Sequence, residues 1–383
     1  MRILVIHNQL WAHYKSILFE EIQRELSQSY PDSSFLVAQI ALYEASRATM
    51  QGTTETTEFN YPYEVLFPRS LDSVSLLERI RGVFKTFHVF RPNVLTITGY
   101  YDWAQVLLLI YAKIRGAKVV ISVESSQMDR ERASLKEAIK KLIFNLTDGF
   151  FCFGTSSVNY LASLGVPSKK IAVRKAAVVD NARIRQRYDQ ARLHQVKSQP
   201  INHHFIYVGR LAPEKNLLAL LEVFQQCVES GQLKNWGLVL VGDGPDRVPL
   251  EEFTKKNNLA SRVRFTGGVG WQTVPDYLAQ ADVLILPSTS EPWGLVVNEA
   301  LVCGMPVIVS RRCGCAEDLV QHGQNGFLFD PENRQALAET MLFYAQNPDE
   351  ISRHGRKSEK IIAPFSPRTV SHEMVSYYHS LAN

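Results

Sequence analysis

The chain has 383 residues, of which 45% are apolar, 21% charged and 10% aromatic. This composition excludes disordered, collagen-like and disulfide-scaffold proteins, and the length predicts about two domains. The net charge is +4, with +6 over residues 1–190 and −2 over the remainder. This asymmetry indicates either an anionic partner for the first half or ordinary surface variation, and we expect no nucleic acid among the partners.

Apolar runs alternate with helical patterns along the first half, which predicts a parallel sheet covered on both faces. Strands are predicted at Arg2–Ile6, Val94–Thr98, Lys118–Val123 and Phe150–Gly154. Helices are predicted at Tyr14–Leu26, Trp103–Ile114 and Ser157–Leu164.

The alternation stops over Asp180–Pro200, which we interpret as an irregular connector with some helix, and then resumes. Further strands are predicted at Phe205–Val208, Gly237–Val241, Val263–Phe265, Val283–Pro287 and Pro306–Val309. Further helices are predicted at Leu217–Ser230, Val274–Gln280, Glu291–Cys303 and Pro367–Leu381. We therefore predict two doubly wound α/β domains, one at 1–196 plus 366–383 and the other at 200–364.

The sequence predicts a cytoplasmic protein. The longest apolar run, Val106–Ala112, is far shorter than the ~18 residues of a membrane helix, and Met1–His7 fits a first strand better than a leader. Three of the five cysteines lie within apolar stretches, which indicates a reducing compartment. Cys313 and Cys315 are too close together, and have too few companions, for a zinc site.

A first candidate site follows the strand that ends at Val208. Gly209 permits close backbone approach, and Arg210 and Lys215 lie five residues apart before the next helix. Arg presents a planar fork of donors and Lys a point charge, so the two together suit a diphosphate. The alternative is a solvated loop in which Glu214 pairs with Lys215.

A second candidate site follows the very apolar strand at 283–287. We expect Gly294 to open a helix, and the free N–H groups of Gly294, Leu295 and Val296 would then bind an anion. Glu291 and Glu299 lie on either side of this turn, and a carboxylate can accept hydrogen bonds from two sugar hydroxyls. Alternatively, Glu291 caps the helix and Glu299 makes an ordinary ion pair.

Glycines follow other strands of the second half. Gly242-Asp-Gly244 is interpreted as a tight turn, and so is Gly314. Gly268 and Val269 either admit a flat base against the backbone or belong to a plain loop.

The first half offers four further candidates after its strands. These are His13, Tyr101, Asp102 and Glu124. A helix-capping or buried structural role is the alternative for each.

The helix Ala133–Leu146 is basic and amphipathic. Its apolar positions are Leu135, Ala138, Ile139, Leu142, Ile143 and Leu146, and its basic positions are Arg132, Lys136, Lys140 and Lys141. Such a helix either lies on an anionic membrane surface or packs on the protein's own core.

Taken together, the motifs of the second half resemble those of the retaining glycosyltransferases of family 4. The order and spacing match over Val208–Asn216, Val241–Pro245, the Glu-x7-Glu pair at 291 and 299, and Gly326–Pro331. The resemblance implies the GT-B fold, in which two Rossmann-like domains face a central cleft. It also implies that the second domain binds a nucleotide-diphosphate sugar as co-substrate.

The resemblance further implies a role for each candidate. Arg210 and Lys215 would stabilise the leaving diphosphate, and Glu291 would contact the donor sugar. The other donor-binding residues would be Gly209, Gly268, Val269, Gly294, Leu295, Val296 and Glu299, with Glu299 on the ribose. The acceptor-side candidates would be His13, Tyr101, Asp102 and Glu124. The family needs no catalytic metal, and no other cofactor is expected.

The acceptor half departs from the family. The loop after the first strand lacks glycine, and Glu124-Ser-Ser stands where many relatives carry a histidine. We predict a metal-independent retaining transferase that moves a sugar to a hydroxyl of a glycan, glycolipid or small molecule, in the cytoplasm or at an anionic membrane face. The alternatives are a non-catalytic nucleotide-sugar-binding subunit, an epimerase or a phosphorylase.

Overall fold

The computed structural model describes residues 1–10, 13–45, 59–124, 134–194 and 201–383. They form two compact units. The first contains the described residues up to Val179 together with Pro364–Asn383, and the second contains those from Asp180 to Ala363.

The first unit is a parallel sheet of seven strands with helices on both faces. Its strands are β1 (Arg2–Gln9), β2 (Ser34–Tyr43), β3 (Tyr63–Ser70), β4 (Val94–Ile97), β5 (Lys118–Val123), β6 (Gly149–Cys152) and β7 (Ile171–Val173). Its first five helices are α1 (His13–Ser29), α2 (Leu76–Phe90), α3 (Trp103–Ile114), α4 (Ser134–Leu146) and α5 (Thr155–Ser163). The strand order is β3-β2-β1-β4-β5-β6-β7. Right-handed crossovers therefore put α2, α3, α4 and α5 on one face and α1 on the other.

The second unit is a parallel sheet of six strands. Its strands are β8 (His203–Val208), β9 (Trp236–Val241), β10 (Val263–Gly267), β11 (Val283–Leu286), β12 (Val307–Ser310) and β13 (Gly326–Phe329). Its helices are α6 (Asn181–Leu193), α7 (Leu217–Glu229), α8 (Arg247–Lys256), α9 (Val274–Leu278), α10 (Leu295–Val302), α11 (Ala316–Leu319), α12 (Arg334–Gln346) and α13 (Asp349–Ile362). The strand order is β10-β9-β8-β11-β12-β13, and β9, β11 and β12 are buried along their whole length.

The division between the units lies earlier than the sequence predicts. The expected connector at 180–200 is helical as far as Leu193, because Asp180 caps α6 by accepting a hydrogen bond from the Arg183 N–H. Arg187 forms two hydrogen bonds of 2.7 and 2.6 Å to Asp276. These contacts attach α6 to the second unit, so the boundary falls after Val179 and not after residue 196.

The last helix, α14 (Pro367–Ala382), belongs to the first unit. It contacts α1 on the face of the sheet opposite α2–α4. Tyr378 Oη lies 2.8 Å from Thr96 Oγ1 in β4, and Tyr377 Oη donates to the Asp148 carbonyl at 2.9 Å. Two tyrosine hydroxyls, that of Tyr378 buried and that of Tyr377 half-buried, thus fix the helix on the sheet.

All five cysteines are buried free thiols. Within the described part of the chain, no helix combines the length and apolarity needed to cross a membrane.

Candidate functional site

The candidate site of the second unit is built from four loops. They are the β8 loop (209–216), the β9 loop (242–246), the β11 loop (287–294) and the β12 loop (311–315). Because β9, β8, β11 and β12 are neighbours in a parallel sheet, their loops emerge side by side at its carboxyl edge.

The β8 loop is held by hydrogen bonds to its neighbours. Tyr207 Oη donates to the Arg210 carbonyl at 2.8 Å, and the Leu211 N–H donates to the Asp243 carbonyl at 2.9 Å. The Asn216 side chain donates to the carbonyls of Pro287 and Pro331 at 3.3 and 3.2 Å. The loop that carries Arg210 and Lys215 is therefore fixed at both ends.

The Gly-Asp-Gly segment of the β9 loop does more than turn the chain. A Cβ atom on Gly242 would overlap the carbonyl oxygen of Gly209, and one on Gly244 would overlap that of Leu211. Gly242 also has a φ of 135°, which side chains rarely allow. These glycines are needed because the backbones of two loops touch, a role that the sequence analysis missed.

Lys215 and Glu291, predicted from separate motifs, meet in the structure. Lys215 Nζ lies 2.6 Å from Glu291 Oε2, and the two side chains are only 13% and 16% exposed. The Thr289 N–H donates to the Glu214 carbonyl at 2.9 Å, which joins the β11 loop to the β8 loop. Glu214 pairs with Arg210 and not, as the alternative had it, with Lys215.

The β12 loop supports Glu291 from the other side. The Gly314 N–H donates to the Glu291 carbonyl at 2.9 Å, and the Cys315 N–H donates to the Trp293 carbonyl at 3.1 Å. A Cβ atom on Gly314 would overlap the Pro292 carbonyl oxygen, so this glycine is needed for close approach and not only for a turn. The Cys-Gly-Cys segment is thus a positioning element for the β11 loop.

The helix after the β11 loop is shorter than predicted. It was expected over Glu291–Cys303, but α10 spans Leu295–Val302 and begins directly after Gly294. The segment before it is extended along the β12 loop and cannot also be helical. The N–H groups of Leu295 and Val296 lie in the first turn of α10, where the helix itself offers them no acceptor.

Glu299 lies in α10 and is only partly exposed. Burial raises its pKa to about 8, so the protonated form is favoured near neutral pH. A neutral carboxyl can both donate and accept a hydrogen bond, which suits a pair of hydroxyls.

Gly268 and Val269 follow β10, the strand beside β9. The Gly242 N–H donates to the Gly267 carbonyl at 3.0 Å, which ties this segment to the β9 loop. Gly268 is exposed and Val269 is partly exposed, so both remain accessible for a flat group.

The first unit holds a buried polar cluster at the carboxyl ends of its central strands. Lys15 is almost fully buried, and its Nζ lies 2.8 Å from Glu124 Oε1. Tyr14 Oη donates to the other Glu124 oxygen at 3.4 Å. His7 Nδ1 lies 2.8 Å from the Gln39 side-chain oxygen, and burial, aided by the Lys15 charge, lowers the His7 pKa to about 4.

The other first-half candidates fall in different surroundings. Asp102 caps α3 by accepting from the Ala104 N–H at 3.1 Å and pairs with Arg79 at 3.2 Å, so the capping alternative describes it. Tyr101 is 61% exposed, and its hydroxyl accepts from that of Tyr100 at 3.0 Å. His13 begins α1, and its side chain lies outside the described part of the structure.

Comparison with known proteins gives a family match for the second half. Residues 193–361 match the family model of glycosyl transferases group 1. The 2-deoxystreptamine N-acetyl-D-glucosaminyltransferase of Niallia circulans is 29% identical over 46% of this chain and 44% of that protein. Across the curated relatives, the matched segment covers about a third to a half of their length.

Solved structures match over nearly the whole chain. Anabaena Alr3699/HepE in complex with UDP aligns with a TM-score of 0.74 at 20% identity, covering 99% of this chain and 100% of that one. Sucrose-phosphate synthase from Thermosynechococcus elongatus aligns with a TM-score of 0.72 at 19% identity, covering 100% and 99%. The fold is GT-B. The two parallel α/β units are its two domains.

The GT-B chain keeps its predicted donor residues within one unit. Arg210, Lys215, Glu291 and Glu299 all lie in the second unit and within the segment that the family model matches. Sequence reasoning missed the glycine contacts and Asn216, although the positions of these residues after strands β8, β9 and β12 were a usable signal.

Replacing Glu299 should change how the stability of this GT-B protein depends on pH. The folded carboxyl titrates near pH 8 and the unfolded one near 4.5, so folding retains a proton over this interval. The free energy of unfolding therefore falls as pH rises from about 5 to about 8, at up to about 1.4 kcal/mol per pH unit. We expect Glu299→Gln to remove this slope and to stabilise the protein most at pH 8. Urea unfolding of both proteins at pH 5 and pH 8 checks this, and equal slopes would contradict it.

Proposed function

We propose that this protein is a retaining glycosyltransferase of family 4. It transfers a sugar from a nucleoside-diphosphate sugar to a hydroxyl group without a catalytic metal ion. The second unit binds the donor and the first unit binds the acceptor, which is a glycan, a glycolipid or a small molecule. The reaction is assigned to the cytoplasm.

The observation that carries this proposal is the Lys215–Glu291 pair. The pair brings together the two candidate sites that the sequence predicted separately, from residues 76 apart in the chain. It lies beside the first turn of α10. The two side chains are largely withdrawn from water, where electrostatic interactions are stronger than at the surface. A cation, a carboxylate and free helix N–H groups are what a sugar diphosphate requires: charge for the phosphates and acceptors for the sugar hydroxyls.

The chemistry follows from these charges. Breaking the bond between the sugar and the diphosphate leaves negative charge on the diphosphate. Arg210, Lys215 and the N–H groups of Leu295 and Val296 would stabilise that charge, as a metal ion does in other enzymes. Because Lys215 contacts Glu291, a donor bound against this ion pair would have its diphosphate beside Lys215 and its sugar hydroxyls beside Glu291.

Retention requires either a covalent intermediate or attack from the face that the diphosphate leaves. We favour same-face attack, in which a diphosphate oxygen takes the proton of the acceptor hydroxyl. The acceptor oxygen then bonds to the anomeric carbon as the bond to the diphosphate breaks, so no protein nucleophile is needed. Glu124, directly after β5, and Lys15, in the first turn of α1, would contact the acceptor.

Thermal unfolding with nucleotides tests the donor site. We expect UDP, the nucleotide bound in the HepE structure, to raise the unfolding temperature by about the same amount with and without EDTA. UDP-glucose and UDP-N-acetylglucosamine extend the series to sugars, and ADP and GDP serve as controls for the base. No shift with any nucleotide would contradict the donor site, and a shift abolished by EDTA would contradict metal independence.

Turnover assays separate the alternatives. A transferase releases nucleoside diphosphate in proportion to added acceptor and leaves the α-anomeric configuration of the donor in its product. A nucleotide-sugar would raise the unfolding temperature of a binding subunit, but that subunit would release no diphosphate. An epimerase would convert the nucleotide-sugar without any acceptor. A phosphorylase would turn over sugar phosphate. An inverted product would contradict the retaining mechanism.

A further inference from the structure

Helices α2, α3 and α4 carry an exposed apolar surface on one face of the first unit. Large apolar side chains are normally exposed singly, whereas contiguous ones mark an interaction site. The members of this α2–α4 surface are Leu76, Leu77 and Val89 on α2, Trp103, Leu107, Ile110 and Ile114 on α3, and Ile139, Leu142 and Leu146 on α4. The three helices are neighbours, since α3 contacts both α2 and α4.

The central helix, α3, shows the feature most clearly. Its exposed residues, Trp103, Leu107, Ile110 and Ile114, are all apolar. They recur at spacings of four, three and four, so they form one stripe along the helix. The opposite stripe is buried on the sheet and accounts for the fold, whereas this one is left without a covering element in the described chain.

The charges around the stripe are basic. Arg81 and Lys85 are exposed on α2, Lys141 on α4, and Arg115 directly after α3. Residues 103–118 contain no acidic side chain and three basic ones, of which Lys113 is paired with Asp148, leaving Arg115 and Lys118. An apolar stripe with basic flanks is typical of a surface that enters the headgroup region of an anionic bilayer.

Two of the acidic groups described nearby are paired with cations, and a third, Asp72 before α2, accepts hydrogen bonds from the Ala45 N–H and the Ser70 hydroxyl. Glu78 is held by Arg69 at 2.6 Å and by the Ser75 cap, and Asp148 is held by Lys113 at 2.8 Å. Little exposed negative charge therefore opposes an anionic surface.

Helix α4 presents different side chains to the α2–α4 surface from those that the sequence predicted. Lys140 was expected on its basic face, but its Nζ contacts Tyr160 Oη at 2.8 Å and lies over the Tyr101 ring. Ile143 and Phe144 are buried in the core, whereas Leu142 is 63% exposed. The helix therefore packs on its own core and still adds apolar side chains to the surface.

We propose that the α2–α4 surface docks on a lipid bilayer with anionic headgroups. A second copy of this chain is a poorer occupant, because a two-fold interface would place the basic flanks of the stripe against each other. A bilayer accommodates both features at once, since acyl chains cover the stripe and headgroups neutralise the flanks. The inference does not depend on transferase activity, since vesicle binding and the nucleotide response are separate readouts.

Co-sedimentation with vesicles tests the proposal. We expect the protein to sediment with vesicles of equimolar phosphatidylglycerol and phosphatidylcholine at low salt, and to bind roughly tenfold or more weakly to pure phosphatidylcholine. Leu107→Glu combined with Ile110→Glu should abolish binding, and Arg81→Ala combined with Lys85→Ala should weaken it roughly tenfold and reduce its dependence on salt.

The matched control is Leu193→Glu. Leu193 is 85% exposed on α6 in the other unit, so a negative charge added there should leave vesicle binding intact, and adding Val248→Glu, at a site 61% exposed in the same unit, matches the two charges of the α3 variant. Thermal unfolding of each variant shows that it is folded. Absence of wild-type binding to anionic vesicles at low salt would overturn the proposal, and so would binding that survives in the folded α3 variant. If the protein formed a dimer without vesicles and the α3 variant did not, the α2–α4 surface would instead bind a second copy of the chain.

Discussion

Lys215→Ala should lower kcat for sugar transfer about 10²–10³-fold while the protein stays folded. Removing one donor that stabilises developing negative charge in other enzymes has an effect of this size. The charge on the diphosphate is largest after the bond breaks, so kcat should fall more than donor affinity. Steady-state kinetics with the donor found by the thermal screen measure both quantities.

Two further variants sharpen this test. Lys256→Ala removes an exposed lysine of α8 in the same unit and should leave kcat unchanged. Glu291→Gln keeps the shape of its side chain but removes the charge opposite Lys215, and should raise the KM for the donor sugar as well as lower kcat. A kcat near that of the wild type in a folded Lys215→Ala protein would contradict a catalytic role for Lys215.

Gly242→Ala should both destabilise the protein and weaken nucleotide binding. The new methyl group would overlap the Gly209 carbonyl oxygen, and the backbone would keep a φ of 135° that alanine disfavours. Overpacking and backbone strain each cost about 1–3 kcal/mol, so we expect a loss of roughly 3 kcal/mol in the free energy of unfolding. Relief requires the β8 or the β9 loop to move, and a shift of the β8 loop would displace Arg210 from the position in which we propose that it binds the diphosphate.

Gly323→Ala is the matched control for this variant. Gly323 also has a positive φ, 75°, but a Cβ atom there would meet no atom within 4 Å. The free energy of unfolding of Gly323→Ala should fall only by the cost of a left-handed backbone, about 1–2 kcal/mol. Its nucleotide binding should be unchanged. Urea unfolding and a UDP titration compare the two proteins. If the two variants lost equal amounts of unfolding free energy and of UDP affinity, the contact between the loops would contribute nothing to stability or to nucleotide binding.

Local sequence was enough to predict five of the six strands of the second unit, all but β13, and the edge of the sheet at which the candidate site lies. The unbroken apolar runs of β9 and β11 have few other interpretations, and polar residues directly after them must emerge at the carboxyl edge. The motifs therefore located Arg210, Lys215 and Glu291 on neighbouring loops. The contact between Lys215 and Glu291 was not predictable, because it depends on how two loops far apart in sequence are held.

Other features escaped prediction for physical reasons. Strand β3 lies at the edge of its sheet with side chains mostly half-exposed, so it lacks the apolar run that marked the central strands. Helix α6 is mainly polar and buries only Ile184 and Tyr188, so it lacks the longer apolar stripe that marked the other helices. Ion pairs such as Arg187–Asp276 add to this short apolar contact. A glycine that admits the backbone of another loop, as Gly314 does, has the same local sequence as one that only turns.

The position of α14 has a consequence for how the protein is made. The second unit is inserted into the first, since the chain completes the first unit only with Pro364–Asn383. On the ribosome, Thr96 and Asp148 emerge long before their partners Tyr378 and Tyr377. On the face of the first sheet that carries α14, the part that α1 does not cover therefore stays open to solvent until translation has passed the entire second unit. Nascent chains that stall within residues 180–363 would expose that face, and they are the ones that we expect to recruit chaperones.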